Sequence, residues 1–269
     1  MNRYERMFSR LAANDEGAMV PFVVLGDPEP EASLEIIDAL VAGGADALEL
    51  GIPFSDPIAD GPVIQAAAGR AIAAGVTPEI CLDLLTQIRK RHPDMPIGLL
   101  VYSNLVVHDQ PEKFFARWAD AGIDSVLIAD IPSVELAPYA ELAIAAGIAP
   151  ILIVPPNATE ACLSRVAKLG RGYTYLLGRA GVTGTQTAMQ RPARQLVEAL
   201  KKAGAPPVLL GFGISTPEHV SAAIESGAQG AISGSAIVQI IAENLQDATA
   251  RSRELTGFVV SMKAATRAI

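Results

Sequence analysis

Apolar residues gather in eight short runs along the chain, all but IGLLVY ended by Gly, Pro or an acidic residue. They are VPFVVLG (20–26), DALELG (46–51), IGLLVY (97–102), DSVLIAD (124–130), PILIVP (150–155), YTYLLG (173–178), PVLLGFG (207–213) and QGAISG (229–234). Between them, residues 31–42, 78–91, 111–121, 134–146, 159–169 and 192–203 carry apolar positions at helical spacing. A strand-length run followed by an amphipathic helix is a βα unit, and repeated βα units build a parallel sheet. The punctuation agrees. Thr77-Pro78-Glu79 and Thr216-Pro217-Glu218 place a capping hydroxyl before a proline at the first helical position. Gly43, Gly122, Gly147, Gly170, Gly204 and Gly227 fall where helices should stop.

The runs recur about every 22 to 34 residues, with one gap of roughly 50 between the second and third that should hold inserted helices. Eight strands in 269 residues predict one (β/α)8 TIM barrel, a single domain over 1–269. An extra N-terminal helix is expected over 4–13, and another helix after the last strand, over 244–267. The rival, an open doubly wound sheet, usually opens on a GxGxxG turn after its first strand. Here Gly26 is followed by Asp27-Pro28-Glu29-Pro30.

Acidic residues exceed basic ones by 29 − 21 = 8. With no Lys/Arg-rich run, neither nucleic acid nor an anionic membrane surface is an expected partner. The longest uncharged stretch, 142–159, is interrupted by Gly147, Pro150, Pro155 and Pro156, and does not read as a membrane span. The start, MNRYERMFSR, has no apolar export signal. Cys81 and Cys162 form no CxxC pair and read as buried thiols of a reducing compartment, so a cytoplasmic protein is expected.

In a barrel the loops after the strands form the active face. All six lysines (Lys90, Lys113, Lys168, Lys201, Lys202, Lys263) fall in helix-like segments, which leaves no candidate for a Schiff base at a strand end. His92, His108 and His219 lack ligand spacing, so no metal site is expected. Carboxylates and phenols remain. In Leu48-Glu49-Leu50-Gly51, alternation puts the leucines on one strand face and Glu49 on the other, towards the barrel interior. Desolvation there would raise its pKa into the range of a general acid/base; pairing with an arginine is the competing role. The Pro- and Gly-rich stretch 51–62 suits a loop over the mouth. It carries Asp56 and Asp60, either of which could reach a ligand or serve as a turn acceptor. Asp130 is a rival acid/base on an undetermined face. Tyr173 and Tyr175 share one strand face. Glycines after the seventh and eighth runs, in Gly211-Phe212-Gly213 and Gly234-Ser235, would let backbone amides and a helix N-terminus hold a phosphate. The connection 179–188 has the composition of a second lid.

Beyond these patterns, LELGIPFSDPIADGPVIQ (48–65) resembles the signature of the tryptophan synthase alpha chain family. The likeness continues through VPFVVLGDP, IGLLVYSN, DSVLIADIP, GYTYLLGRAGVTG, LLGFGIS and GAISGSAIV, covering almost the whole chain. The resemblance implies a lyase of tryptophan biosynthesis. It would cleave indole-3-glycerol phosphate reversibly to indole and D-glyceraldehyde 3-phosphate by retro-aldol chemistry, without a cofactor of its own. It makes Glu49 the general acid/base, Asp60 the stabiliser of positive charge on the indole nitrogen, and Tyr175 a neighbour of the scissile side chain. Gly184, Gly213, Gly234 and Ser235 would bind phosphate, while Phe22, Leu100, Leu127, Ile153, Phe212 and Ile232 wall the indole pocket. It also implies a beta-chain partner that carries pyridoxal phosphate, in an alpha2beta2 heterotetramer, docked around Pro53, Phe54, Asp56, Pro57 and Asn104. One departure is Gly178, where the family pattern has Ser.

Two other readings stand beside it. Another phosphosugar barrel, such as an indole-glycerol-phosphate synthase or a ribulose-phosphate epimerase, would want a strand-end lysine or metal-binding histidines. A noncatalytic barrel that activates a partner chain would keep the fold without the reaction.

Overall fold

The computed structural model describes residues 1–108, 110–178 and 193–267. Its strands are β1 (Ala18–Val24), β2 (Leu48–Gly51), β3 (Ile97–Val101), β4 (Ser125–Ile128), β5 (Ala149–Pro150), β6 (Leu152–Val154), β7 (Thr174–Leu177), β8 (Val208–Gly211) and β9 (Gly230–Ser233). Every pair is parallel, in the order β5-β4-β3-β2-β1-β9-β8-β7-β6. The two ends of that order are one stretch of chain. Ala149 and Pro150 pair with β4, Leu152 and Val154 with β7, and Ile151 N–H still reaches Val126 O at 2.8 Å. The sheet thus returns on itself as the expected (β/α)8 barrel. The fifth expected run is two strands rather than one because Pro150 has no N–H to continue a ladder.

The helices are α1 (Arg3–Ala13), α2 (Pro30–Ala42), α3 (Pro62–Ala73), α4 (Pro78–Arg91), α5 (Ser103–His108), α6 (Pro111–Asp120), α7 (Ala137–Ala145), α8 (Glu160–Leu169), α9 (Ala193–Ala203), α10 (Pro217–Glu225), α11 (Ser235–Glu243) and α12 (Ala248–Ala264). Proline opens α2, α3, α4, α6 and α10, where a missing N–H leaves no intrahelical bond unmade. Thr77, Thr159 and Thr216 cap α4, α8 and α10 by accepting from Ile80, Cys162 and His219 N–H. The long gap holds α3 in addition to α4. Helix α7 starts three residues later than its apolar spacing suggests, because Val134 lies exposed in a turn closed by Glu135 N–H on Pro132 O. Helix α12 starts at Ala248, capped by Asp247, rather than at 244. All six lysines are helical, and among the described residues no single helix is long and apolar enough to cross a membrane. Both cysteines are free thiols; Cys81 is buried, but Cys162 is partly exposed, on the polar-bonded first turn of α8.

Helix α1, set by an Asn2/Glu5 capping box, closes the N-terminal end of the barrel. It inserts Tyr4, whose hydroxyl meets Ser125 Oγ at 2.8 Å and whose ring lies edge-on to Tyr173 at 5.6 Å. Around this plug Asp124 accepts from Arg3 at 2.9 Å, Arg89 at 2.7 Å and Ile97 N–H at 2.8 Å, joining α1, α4 and β3 to the start of β4. Arg89 also donates to the carbonyls of Gly122 and Met95. Replacing Asp124 by alanine strands this largely buried guanidinium. A loss of about 3 kcal/mol in urea-unfolding stability is expected; a loss under about 1 kcal/mol would mean that the hub is dispensable.

Candidate active site

Register partners in a parallel ladder share a face, so Phe22, Glu49, Gly98 and Ser125 point one way. Gly51, Leu100 and Leu127 do so one pleat higher. Leu48 and Leu50 point the other way and are buried beneath the helices. Which side is the bore follows from one bond. Tyr173 Oη donates to Glu49 Oε1 at 2.8 Å. Glu49 is on β2 and Tyr173 leads into β7, on opposite sides of the strand ring, so the bond can only cross the interior.

Glu49 is 2 % exposed, and burial pushes its carboxyl from an ordinary 4.5 up to about 7, against the downward pull of the Tyr173 bond. Burial, and then the Glu49 charge, push the Tyr173 phenol well up, which keeps it a donor. Tyr175 lies on the same face as Tyr173. Its phenol is pushed up by burial and then by the charges of Glu49 and Asp60. A Cβ on Gly211 would overlap the Tyr175 ring, so the absence of a side chain on β8 makes room for it.

The two loop carboxylates part company. Asp60 is partly buried and accepts from Tyr102 Oη at 2.8 Å; burial raises its pKa and the phenol bond draws it back. Asp56 is exposed and accepts from the hydroxyl of its neighbour Ser55. Asp130 accepts from Ser103 N–H and Oγ, both at 2.7 Å, and so anchors the start of α5. Among the described residues there is no cluster of potential metal ligands.

At the far side of the mouth, Gly234 precedes α11 and offers its first-turn amides no side-chain cap, with Ser235 as the first helical residue. Phe212 and Gly213 follow β8 with φ of 75° and 90°, and Ser233 Oγ donates to Ile214 O at 2.7 Å, tying the two glycine loops together. Both ends of the site border one ring. A Cβ on Gly51 would come within 2.9 Å of Phe22 Cζ, and one on Gly234 within 3.2 Å of Phe22 Cδ1. Phe22, Leu127 and Ile232 are buried, while Leu100, Ile153 and Phe212 are partly exposed. Gly184 and the connection 179–188 lie outside the described residues. Asp56 and Asn104 are exposed, Phe54 and Pro57 partly so, and Pro53 is buried. Sequence patterns singled out neither Tyr102 nor the Tyr173 bond. The one available signal was the shared face of Tyr173 and Tyr175.

A closed (β/α)8 barrel with a buried carboxyl inside and an uncapped helix N-terminus at its mouth has the layout of a barrel enzyme, with its site on that rim. Comparison with known proteins narrows the class. The family model described as Tryptophan synthase alpha chain matches residues 8–267, and the chain belongs to that family. It is 60 % identical over 267 residues to the tryptophan synthase alpha chain of Photobacterium profundum, covering 99 % of each chain. With that of Yersinia enterocolitica it shares 58 %, covering 99 % of this chain and 100 % of the relative. The tryptophan synthase subunit alpha structure of Legionella pneumophila superposes with a TM-score of 0.87 at 30 % identity, over 99 % of this chain and 98 % of the other. A chain from the tryptophan synthase a2b2 complex of Pyrococcus furiosus gives 0.82 at 31 %, over 92 % and 98 %. The chain is accordingly a lyase of tryptophan biosynthesis, cleaving indole-3-glycerol phosphate to indole and glyceraldehyde 3-phosphate.

The raised Glu49 pKa has a consequence for stability. The native state favours the protonated carboxyl, so its contribution is complete below 4.5 and is lost as pH rises through about 7. Glu49→Gln cannot ionise. Relative to the unmodified protein it should gain about 3 kcal/mol between pH 4 and pH 8, read from urea unfolding at both pH values. A pH-independent difference would mean that Glu49 titrates as an ordinary carboxylate.

Proposed function

We propose that Glu49 performs the proton transfers of this cleavage, on the strength of one observation: a carboxyl buried in the bore, poised near neutrality, on the rim that also presents the α11 N-terminus. Protonated Glu49 delivers its proton to indole C3, which turns the ring into an electron sink. The resulting carboxylate then takes the proton from the glycerol hydroxyl next to the scissile bond. The carbon–carbon pair flows into the ring, and indole leaves an aldehyde behind. One proton enters and one is removed, so Glu49 ends the cycle protonated. Asp60 accepts from the indole N–H and offsets the positive charge that develops there. Tyr175, whose phenol senses the charge of both carboxylates, packs against the side chain being cut.

The phosphate is held by amides of Gly213, Gly234 and Ser235, joined by Gly184, with the α11 dipole supplying the attraction that a net charge of −8 does not. Phe22, Leu100, Leu127, Ile153, Phe212 and Ile232 wall the indole. The chain acts as one barrel domain over 1–269, in the cytoplasm. No cofactor of its own takes part; pyridoxal phosphate belongs to a beta chain with which it forms an alpha2beta2 complex. The contact surface runs over Phe54, Asp56, Pro57 and Asn104, above the buried Pro53. Its apolar content supports this reading: Ile58, Val107 and Val134 are 76 %, 45 % and 65 % exposed, on the segments that follow β2, β3 and β4.

Glu49→Gln should lower indole release from indole-3-glycerol phosphate by about 10²- to 10⁴-fold while leaving the affinity for glyceraldehyde 3-phosphate within about twofold. Activity that survives the substitution overturns the assignment, and absence of indole release from the unmodified chain, alone and with a beta chain, would mark the barrel as noncatalytic.

A further inference from the structure

The stretch from Ile52 to Gly61 contains no helix or strand, yet it has to deliver Asp60 to the mouth. Gln65 Nε2 holds its end through the Asp60 carbonyl at 2.8 Å, and the Asp60 side chain is held by Tyr102, the residue after β3, which is 2 % exposed. Its hydroxyl makes two bonds to the loop: it accepts Ala59 N–H at 3.1 Å and donates to Asp60 Oδ2 at 2.8 Å. Because the amide can only donate, the single phenolic proton is committed to the carboxylate. The Tyr102 ring is stacked on Phe54, centroids 5.2 Å apart and 23° from coplanar, so one side chain holds the loop near both ends. Phe54 in turn belongs to the proposed partner surface.

We propose that Tyr102 is a positioning residue for the cleavage reaction: it latches the loop after β2 to the end of β3 and aims the Asp60 carboxylate at the indole nitrogen. The proposal rests on the role given to Asp60 above. The groups facing these two side chains among the described residues are Tyr175, whose phenol senses the Asp60 charge, and Asp130, whose charge reaches Tyr102. Both the burial of Tyr102 and the adjacent Asp60 charge push its phenol up, which keeps the proton on the donor.

Tyr102→Phe keeps the ring and removes both bonds. In the full chain, with beta chain present, kcat for indole release should fall about tenfold, the worth of one hydrogen bond to a charged group, with KM within about twofold. Loss of the donor raises the Asp60 pKa, so the acid limb of the kcat profile should move to higher pH. Amide exchange over residues 54–61 should accelerate, whereas a merely structural role would lower the unfolding midpoint and leave the limb in place. Unchanged exchange and an unchanged limb overturn the latch while leaving Asp60 its role. Full activity of Asp60→Asn instead overturns the role of Asp60, and the purpose of the latch with it, even where exchange has changed.

Discussion

One phenolic hydrogen bond, thrown across the bore from Tyr173 to Glu49, sets the condition on which the site depends. Burial alone would hold the carboxyl protonated; a fuller set of donors would hold it ionised. A single donor leaves the two forms close in free energy near neutral pH, which is what the two proton transfers proposed for Glu49 require. That balance needs a dry interior. Tyr4 provides it from below by plugging the barrel floor and packing its ring against Tyr173, so a helix outside the barrel repeat helps determine the protonation of a residue inside it.

The division of labour between the two ends follows. The N-terminal end is held by charged groups turned on one another: Asp124 by Arg3 and Arg89, Asp46 by Arg10 and Lys263. The catalytic end relies on hydroxyls and amides, which can exchange partners when a ligand arrives at less cost than a buried ion pair. Among the described residues of the upper loops, Arg70 of α3 grips Asp27 after β1 through bonds of 2.7 and 2.9 Å. It steadies the helix that begins just past Asp60, leaving the loop before that helix to be governed by Tyr102.

Most of the scaffold is legible in local sequence. A proline at the head of a helix, a threonine before it and a glycine after it act within a few residues, and β2 alternates cleanly enough to assign Glu49 to the bore. Asp130 is ambiguous because Val126, Leu127 and Ile128 are all apolar and no alternation fixes its face; its partner, Ser103, comes from the neighbouring strand end. The bonds from Tyr173 to Glu49 and from Tyr102 to Asp60 join residues 124 and 42 positions apart; the first exists only once the barrel has closed, the second only once β2 and β3 have paired. No periodicity carries that information. The split of the fifth strand is of the same kind: Pro150 is visible in the sequence, but the exchange of ladder partners around Ile151 depends on which strands arrive on either side.

Phe22 touches the space above Gly51 on one flank and above Gly234 on the other. The aromatic ring is therefore a spacer of fixed width between the flank of the cleft that holds Glu49 and the α11 N-terminus at which the phosphate is proposed to sit. A molecule that engages both must bridge that width with its own backbone, so a truncated analogue could satisfy either end but never the two at once. Chain length, as much as chemical identity, becomes a criterion for admission.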